Sequence, residues 1–207
     1  MGRKTKQESE RTRERLLDAA EIEMQSHGVS NTSLACIAKR AQLTRGALYW
    51  HFADKDALLD AMIARTHLPL RDLRDDLARD NPRSSSRQLL REMLLHTVDR
   101  LSTDAQHRRV CDILLHRHET PACAESSQSL LAPLFHESRE ALIELCNDIS
   151  LERTTEQSSP LTAADHADVI LAFICGLYEC VLRHGCGDAV ERHPEAKIDA
   201  VLHGLFP

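Results

Sequence analysis

The sequence has few of the residues that build β-sheets and their turns. Aromatic side chains make up 3% of the 207 residues, and only seven glycines are present. Leu, Ala, Arg and Glu, which favour helices, are plentiful instead. Hydrophobic and charged fractions of 42% and 28% are ordinary for a folded chain rather than a disordered one. The composition therefore predicts an all-α protein.

The cysteines do not form the pattern of a disulfide scaffold or a zinc knuckle, because the seven of them include no C-x-x-C pair and their number is odd. We interpret them as reduced thiols of a cytoplasmic protein, with Cys175 and Cys180 as inert buried thiols rather than a redox switch formed with Cys186. The sequence also lacks a long uncharged apolar run and an apolar stretch after its basic start. We therefore expect neither export nor a membrane span.

The net charge of −6 is divided unevenly along the chain. Residues 1 to 60 contain ten Lys or Arg and nine Asp or Glu, a net charge of +1, whereas residues 61 to 207 contain sixteen and twenty-three, a net charge of −7. Basic side chains are concentrated near the N-terminus, where phosphates can be met. The remainder needs no polyanionic partner.

Three helical patterns lie in the first part of the chain. Apolar residues recur at helical spacing over residues 12 to about 25. Thr32 or Ser33 can cap a second, short helix, and Thr44 can cap a third over residues 45 to 51. The second and third helices are too short to be stable alone, so we expect them to pack on the first as a helix-turn-helix.

Longer helices follow. Asp54 suits the N-cap of a fourth helix, which Pro69 should kink or break. Pro133 should limit the start of a later helix, Thr162 can cap another, and Pro194 fits the first turn of the last one. About nine helices are expected in all, the later ones over residues 87–102, 105–118, 126–152, 162–184 and 194–205.

The stretch TSLACIAKRAQLTRGALYWHFADKDAL, residues 32 to 58, resembles the signature of the TetR family of bacterial regulators. The segments RKTKQES and TRGALYWHF resemble the AcrR-type repressors of multidrug efflux operons within that family. Gln42 stands where the family usually has glycine in a turn, so a non-glycine residue must adopt the turn conformation there. The positions at family spacing are Thr32, Ile37, Ala38, Ala41, Thr44, Gly46, Tyr49, His51, Phe52, Lys55 and Leu58.

The resemblance implies a helix-turn-helix DNA-binding domain over residues 1–54 and a larger helical domain over residues 55–207 that binds a ligand and dimerises. The implied function is that of a repressor that binds a palindromic operator as a homodimer, paired through its last two helices, and is released by a small lipophilic effector. The implied protein is not an enzyme and needs neither cofactor nor metal.

The third helix is expected to read the major groove, and Arg45 is placed to make a bidentate bond to guanine. Thr44 and Gly46 allow a close approach, and the methyl group of Ala47 can contact a thymine methyl. Aromatic and basic neighbours offer donors to phosphates. The predicted DNA contacts are Thr32, Thr44, Arg45, Gly46, Ala47, Tyr49, Trp50, His51 and Lys55.

For the effector, the resemblance implies a cavity in the second domain whose filling moves the fourth helix. His67, beside Pro69 on that helix, can act as donor, acceptor or cation. Taken alone, each lining candidate is of a type found more often as an ordinary core residue than as a ligand contact. The candidates are His67, Met93, His96, Thr97, Cys111, Leu114, Phe135, Phe173, Leu177 and Tyr178.

Two alternatives remain open from the sequence. One is a regulator of the same family that serves a lipid or amino-acid pathway, and the other is a helical enzyme or metal-binding protein. His116, His118 and Cys123 invite a metal-binding interpretation, but histidines at i and i+2 lie on different faces of a helix. No trio of nucleophile, base and orienting group is visible.

Overall fold

The structure, a computed structural model, describes residues 2–66, 69–116, 121–152, 160–185 and 187–206. These residues form helices and loops, with no strand among them, which confirms the predicted all-α class. Eleven helices are present in these ranges rather than about nine, because the fourth predicted helix is divided in two and a short helix precedes the last one. They are α1 Gly2–His27, α2 Leu34–Arg40, α3 Arg45–His51, α4 Lys55–Thr66, α5 Leu70–Asp80, α6 Ser86–Thr103, α7 Ala105–His116, α8 Pro121–Glu152, α9 Ala163–His184, α10 Gly187–Glu191 and α11 Pro194–Leu205.

The chain forms two compact units. The first contains Met1–His67 and Gln106–Leu131, and the second contains Leu68–Ala105 and Ala132–Pro207. The first unit therefore includes α4 and most of α7 as well as the helix-turn-helix. The functional boundary between residues 54 and 55 stays a prediction, since compactness and independent function are different properties.

The three-helix head, α1 to α3, is held by a shared apolar core. Helices α2 and α3 have seven residues each, too few for an isolated helix to be stable in water. Both pack against α1, and α1 also packs against α4. The buried side chains at these contacts are Leu16, Leu17, Ala20, Met24, Ile37, Ala38, Leu48, Phe52, Leu58, Leu59 and Met62.

Side-chain caps fix where these helices begin, as the sequence predicts. The Ser33 and Thr44 hydroxyl oxygens accept bonds from the backbone N–H groups of Cys36 and Ala47, at 3.2 and 3.1 Å. Asp54 accepts the backbone N–H of Ala57 at 2.8 Å. Each bond satisfies a donor that has no partner inside the helix.

Two predicted helix starts are wrong. Helix α1 begins at Gly2, ten residues before the predicted Thr12, because its early turns consist of polar helix-forming residues that apolar spacing does not detect. Helix α8 begins at Pro121 and continues through Pro133, which was expected to limit its start. Proline is favoured in a first helical turn, whereas inside a helix it removes one backbone hydrogen bond.

The predicted break at Pro69 is confirmed. Helix α4 ends at Thr66, and α5 begins at Leu70 with Pro69 at its N-cap position. Proline lacks the N–H that a continuous helix would use at this point, and its ring clashes with the preceding turn. His67, the effector candidate nearest to the break, lies outside the described residues.

Gln42 occupies a left-handed backbone conformation, with φ of 55°, in the turn between α2 and α3. A side chain in this conformation costs about 1–2 kcal/mol, which glycine avoids at some loss of chain entropy. We expect Gln42→Gly to raise the free energy of unfolding by about 0.5–1 kcal/mol, measured by urea denaturation. Gln42→Ala is the control, because it keeps a Cβ and should not stabilise; equal effects of both variants would contradict the argument.

The second unit has its own core, formed by α5, α6, α8, α9, α10 and α11. The buried residues include Leu90, Leu94, Leu142, Leu145, Ile170, Ile198, Leu202 and Phe206. Thr162 caps α9 with a reciprocal bond to Asp165, and Pro194 stands in the first turn of α11, both as predicted. None of the helices in the described ranges has the length and apolarity that a membrane span requires.

The cysteines are distributed differently from the prediction. Cys175 and Cys180 are exposed, so their interpretation as buried thiols is wrong for the single chain, because none of the described residues covers that face of α9. Cys186 lies outside the described residues. Cys146 is buried in the core of the second unit, and this burial raises the pKa of its thiol to about 11.

In the native protein, Cys36 and Cys146 should therefore be alkylated at very different rates. At pH 8 iodoacetamide is expected to modify the exposed Cys36 and to leave Cys146 unmodified, since at a pKa of about 11 only about one Cys146 thiol in a thousand is ionised. Mass spectrometry of digested protein measures both sites. Urea-unfolded protein should be labelled at both positions, and labelling of Cys146 at the rate of Cys36 in the native state would contradict the prediction.

Candidate nucleic-acid interface

Helix α3 has one buried and one exposed side. Leu48 packs into the core of the head, whereas Arg45 and Gly46 in the first turn are exposed. Tyr49 and Trp50, one turn further on, have 49% and 73% of their surfaces exposed. Side chains four positions apart share a face of a helix, so these four residues form one exposed surface. Tyr49 is therefore not a packing residue.

The Arg45 side chain has no partner among the described residues, as is also the case for Lys39 on α2, whereas several other arginines of the head are engaged within the protein. Arg15 donates to the backbone oxygen of Ala41 at 2.6 Å, at the end of α2. Arg40 is paired with Glu23, and Arg13 lies 5.7 Å from the ring centre of Phe52. Much of the basic charge of the head thus stabilises its own fold, while the Arg45 guanidinium remains available.

Gly46 leaves the backbone of the first turn of α3 accessible. A Cβ atom placed on this residue would meet only the Thr44 hydroxyl oxygen, at 3.8 Å, which is an ordinary contact. The packing of the head therefore does not require glycine here. The Thr44 hydroxyl is engaged as the helix cap, and Ala47 is half-buried beside it.

His51 is half-buried at the end of α3. Its ring lies 4.7 Å from that of Trp50 in an edge-to-face arrangement. Burial, and then repulsion from the Arg13 guanidinium, lower the pKa of His51 from its ordinary value. The imidazole is therefore neutral at pH 7 and can donate one hydrogen bond without adding charge.

Two predicted contact residues have partners within the protein. Thr32 has only 1% of its surface exposed, and its hydroxyl donates to the backbone oxygen of Gly28 at 2.7 Å. It stabilises the loop after α1 and presents nothing at the surface, so we do not retain it as a DNA contact. The Lys55 ammonium donates to the backbone oxygen of Val29 at 2.7 Å, which leaves its other N–H groups for a phosphate.

The effector candidates are divided between the two units. Met93 is buried in the core of the second unit, and Phe173 and Leu177 pack against the same core. The Thr97 hydroxyl donates to the backbone oxygen of Met93 at 3.0 Å. Two further candidates of this unit, Phe135 and Tyr178, are exposed and half-buried respectively. Cys111 and Leu114 belong to the first unit.

His96 is the candidate with an unused polar atom. It is half-buried on α6, and its Nε2 has no hydrogen-bond partner among the described residues. Burial lowers the pKa of His96, and repulsion from Arg100 adds to this effect. A neutral imidazole with an open nitrogen can bond to a polar group of a small molecule.

No metal site is found in the described part of the chain. His116 lies 3.3 Å from a carboxylate oxygen of Asp112, and groups of three or more His, Cys, Asp or Glu placed to bind an ion do not occur in these ranges. His118 and the side chain of Cys123, the other members of the sequence-based hypothesis, lie outside the description.

Comparison with known proteins connects this geometry with a family. The model for bacterial regulatory proteins of the tetR family matches residues 16–62. The transcriptional regulator AcrR of Shigella flexneri is 38% identical over 119 residues, 58% of this chain and 55% of that protein, so the match spans about half its length. The regulator TtgR of Pseudomonas putida is 33% identical over 181 residues, 86% of this chain and 83% of that protein.

Solved structures of repressors are similar to this chain over nearly its whole length. NalD, the secondary repressor of the MexAB-OprM multidrug efflux pump in Pseudomonas aeruginosa, is 29% identical with a TM-score of 0.75, covering 97% of this chain and 96% of that one. SmeT in complex with triclosan is 27% identical with a TM-score of 0.78, covering 93% and 90%. With the helix-turn-helix, the family match and a 33% identical relative aligned over most of both chains, this protein belongs to the TetR family of bacterial regulatory proteins.

Proposed function

We propose that the protein is a cytoplasmic, ligand-responsive repressor that binds an inverted-repeat operator as a homodimer and controls a multidrug efflux operon. The observation that carries the proposal is the exposed surface of α3, where the unpaired Arg45 stands beside Gly46, Tyr49 and Trp50. A side chain without a carboxylate partner keeps its full capacity for a bidentate bond to guanine O6 and N7.

The other residues of the surface position the helix on the duplex. Gly46 and the half-buried Ala47 allow the start of α3 to approach the base edges. Tyr49, Trp50 and the neutral His51 offer donors and flat faces to phosphates and sugars. Lys55 adds a cation at the start of α4, steadied by its bond to Val29.

Dimerisation follows from the length of the reading helix and from α9. One seven-residue helix contacts only a few base pairs, so a specific site needs two copies, with half-sites about 34–36 Å apart or at a related spacing. The α9 surface supports pairing, because Val169 is 44% exposed and Ala172, Cys175 and Cys180 are also exposed. We propose that α9 and α11 form the dimer contact.

Release requires an effector with different affinities for two states of the protein. Met93, Phe173 and Leu177 offer apolar surface in the second unit, and His96 offers an open nitrogen. This combination suits a small, mostly apolar molecule with one polar group. Relatives named as repressors of efflux pumps, and the triclosan complex of SmeT, support an effector of this class.

The proposal is tested by footprinting the purified protein on the DNA upstream of its own gene and of neighbouring transporter genes. We expect protection of an inverted repeat by a dimer, with affinity that falls by orders of magnitude between 50 and 200 mM salt. Lipophilic antibiotics, dyes, bile-like compounds and triclosan are then screened for release. Equal binding of random and upstream DNA at moderate salt would contradict the proposal, whereas release only by metabolites would indicate a regulator of metabolism.

A further inference from the structure

Glu21 is a carboxylate on the buried side of α1. It has 0% of its surface exposed and follows the apolar residues Leu17 and Ala20 at helical spacing, with Met24 one turn later. A buried charge is stable only when several donors surround it. Glu21 therefore needs hydrogen-bond donors from neighbouring elements of the protein.

Both oxygens of Glu21 are occupied by donors from two other helices of the first unit. Arg65, in the last turn of α4, bonds to Oε1 through its Nη2. Gln106, at the start of α7, donates to the same oxygen at 3.2 Å. Arg109, one turn further along α7, donates to Oε2 at 3.3 Å.

Arg65 is itself fixed on α1. Its Nη1 donates to Glu14 and to Asp18, both at 2.9 Å. The guanidinium thus bridges three carboxylates on one helix, and burial leaves 12% of its side chain exposed. Such a cluster of charge-assisted bonds holds α4 and α1 in one arrangement.

The partners of Glu21 lie where the chain passes between the two compact units. The first unit ends its N-terminal part at His67, two residues after Arg65, and resumes at Gln106. We call residues 62–66 of α4 and residues 106–109 of α7 the crossing segments. Glu21 is bonded to both of them, although they are distant in sequence.

Helix α1 in turn holds the rest of the head. Arg15 donates to the backbone oxygen of Ala41, next to the turn that precedes α3. Glu23 is paired with Arg40 at the end of α2. A shift of α1 is therefore passed directly to the helices that carry the DNA surface.

We propose that Glu21 is the positioning residue through which the two crossing segments hold α1, so that a displacement of either segment moves the DNA-binding head. A fully buried carboxylate cannot replace a lost donor with water, so α1 must follow its donors. The inference rests on the proposed function, because it assigns to Glu21 the transmission of the effector signal to the operator surface.

The test compares Glu21→Gln with Glu8→Gln, a change at an exposed carboxylate of the same helix. Both remove one negative charge from α1, but only the first removes bonds to the crossing segments. We expect Glu21→Gln to weaken operator binding at least tenfold, because loosened segments reduce the fraction of dimers whose two heads are correctly placed. Binding to random DNA should change less than threefold, and Glu8→Gln should change the ratio of the two affinities less than threefold.

The direction of the effect distinguishes this role from simple electrostatics. Loss of a negative charge alone would strengthen binding to DNA, so a folded Glu21→Gln protein that binds the operator as tightly as the wild type would overturn the proposal. Gln106→Leu, which changes no charge and leaves Arg65 on Glu21, should show a smaller loss in the same direction. If Glu21→Gln fails to fold, this second variant replaces it in the test, and an unchanged operator affinity of the second variant would then count against the proposal.

Hydrogen exchange gives a readout that does not depend on DNA. Amides of residues 60–66 and 106–112 should exchange faster in Glu21→Gln than in Glu8→Gln, and unchanged exchange in both would overturn the inference. If the wild-type protein shows no sequence preference, the proposed function fails, and the exchange comparison alone decides whether Glu21 holds the crossing segments.

Discussion

Arg45→Ala should weaken binding to the operator by at least about thirtyfold and should relax the preference for guanine at one position of each half-site. A bidentate arginine–guanine contact contributes about 1–3 kcal/mol to discrimination, and a dimer would lose two of them. The fold should be unaffected, because Arg45 is exposed and has no partner among the described residues. Fluorescence anisotropy with the footprinted operator and with base-substituted versions measures both effects.

Lys39→Ala is the matched control for Arg45→Ala. Lys39 is also an exposed cation of the helix-turn-helix, on α2. Its loss should weaken binding to all sequences alike and reduce the slope of affinity against salt, since a phosphate contact carries no sequence information. If Arg45→Ala behaved like Lys39→Ala, with an unchanged base preference, Arg45 would contact the backbone and the assignment of direct readout would be wrong.

Leu48→Ala should destabilise the protein by about 2–5 kcal/mol without touching the DNA surface. Leu48 has 1% of its surface exposed and is the buried anchor of α3, a helix of seven residues that cannot persist without its packing. Removing the side chain leaves a cavity beneath the reading helix. Urea and thermal unfolding, followed by circular dichroism, measure the loss.

Tyr49→Ala, at the next position, provides the comparison. Tyr49 is 49% exposed, so its truncation should change the free energy of unfolding by less than about 0.5 kcal/mol while weakening binding to DNA. Leu48→Ala should thus lower mainly the free energy of unfolding, and Tyr49→Ala mainly the affinity for DNA. Equal destabilisation by both variants would show that α3 is not oriented with Leu48 inward and Tyr49 outward.

Local features of the head could be predicted from the sequence because they depend on neighbouring residues. The caps at Thr44 and Asp54 are confirmed, and of the two candidates Thr32 and Ser33 the second caps α2, because each cap is a bond to a backbone N–H three residues away. The break at Pro69 follows from the geometry of one residue. The unusual turn at Gln42 was likewise visible as a departure from the family pattern.

Assignments that depend on distant partners were less successful. Thr32 was expected at the DNA surface, but its position after α1 buries it against the oxygen of Gly28. Cys175 and Cys180 were expected to be buried because their neighbours are apolar, yet no residue in the described ranges covers that face of α9. An apolar neighbourhood in sequence does not show which protein, if any, covers it.

Glu21 is a second kind of residue whose role depends on partners that are distant in sequence. Its position among Leu17, Ala20 and Met24 already placed this carboxylate on the apolar side of α1. A search for apolar residues at helical spacing did not select it, because it is charged. Its donors, however, lie 44 to 88 positions away, at Arg65, Gln106 and Arg109. Nothing in their local pattern connects them with α1.

The sequence by itself determined the all-helical class, most helix starts, the exposed position of Arg45 and the family, because these follow from residue preferences and bonds within one or two turns. Only the tertiary structure decided which charged side chains form ion pairs within the protein and which, like Arg45, have no partner among the described residues. Ion pairs and buried hydrogen bonds join residues that the chain brings together only after its helices pack, and a carboxylate such as Glu21 acquires its partners at that stage.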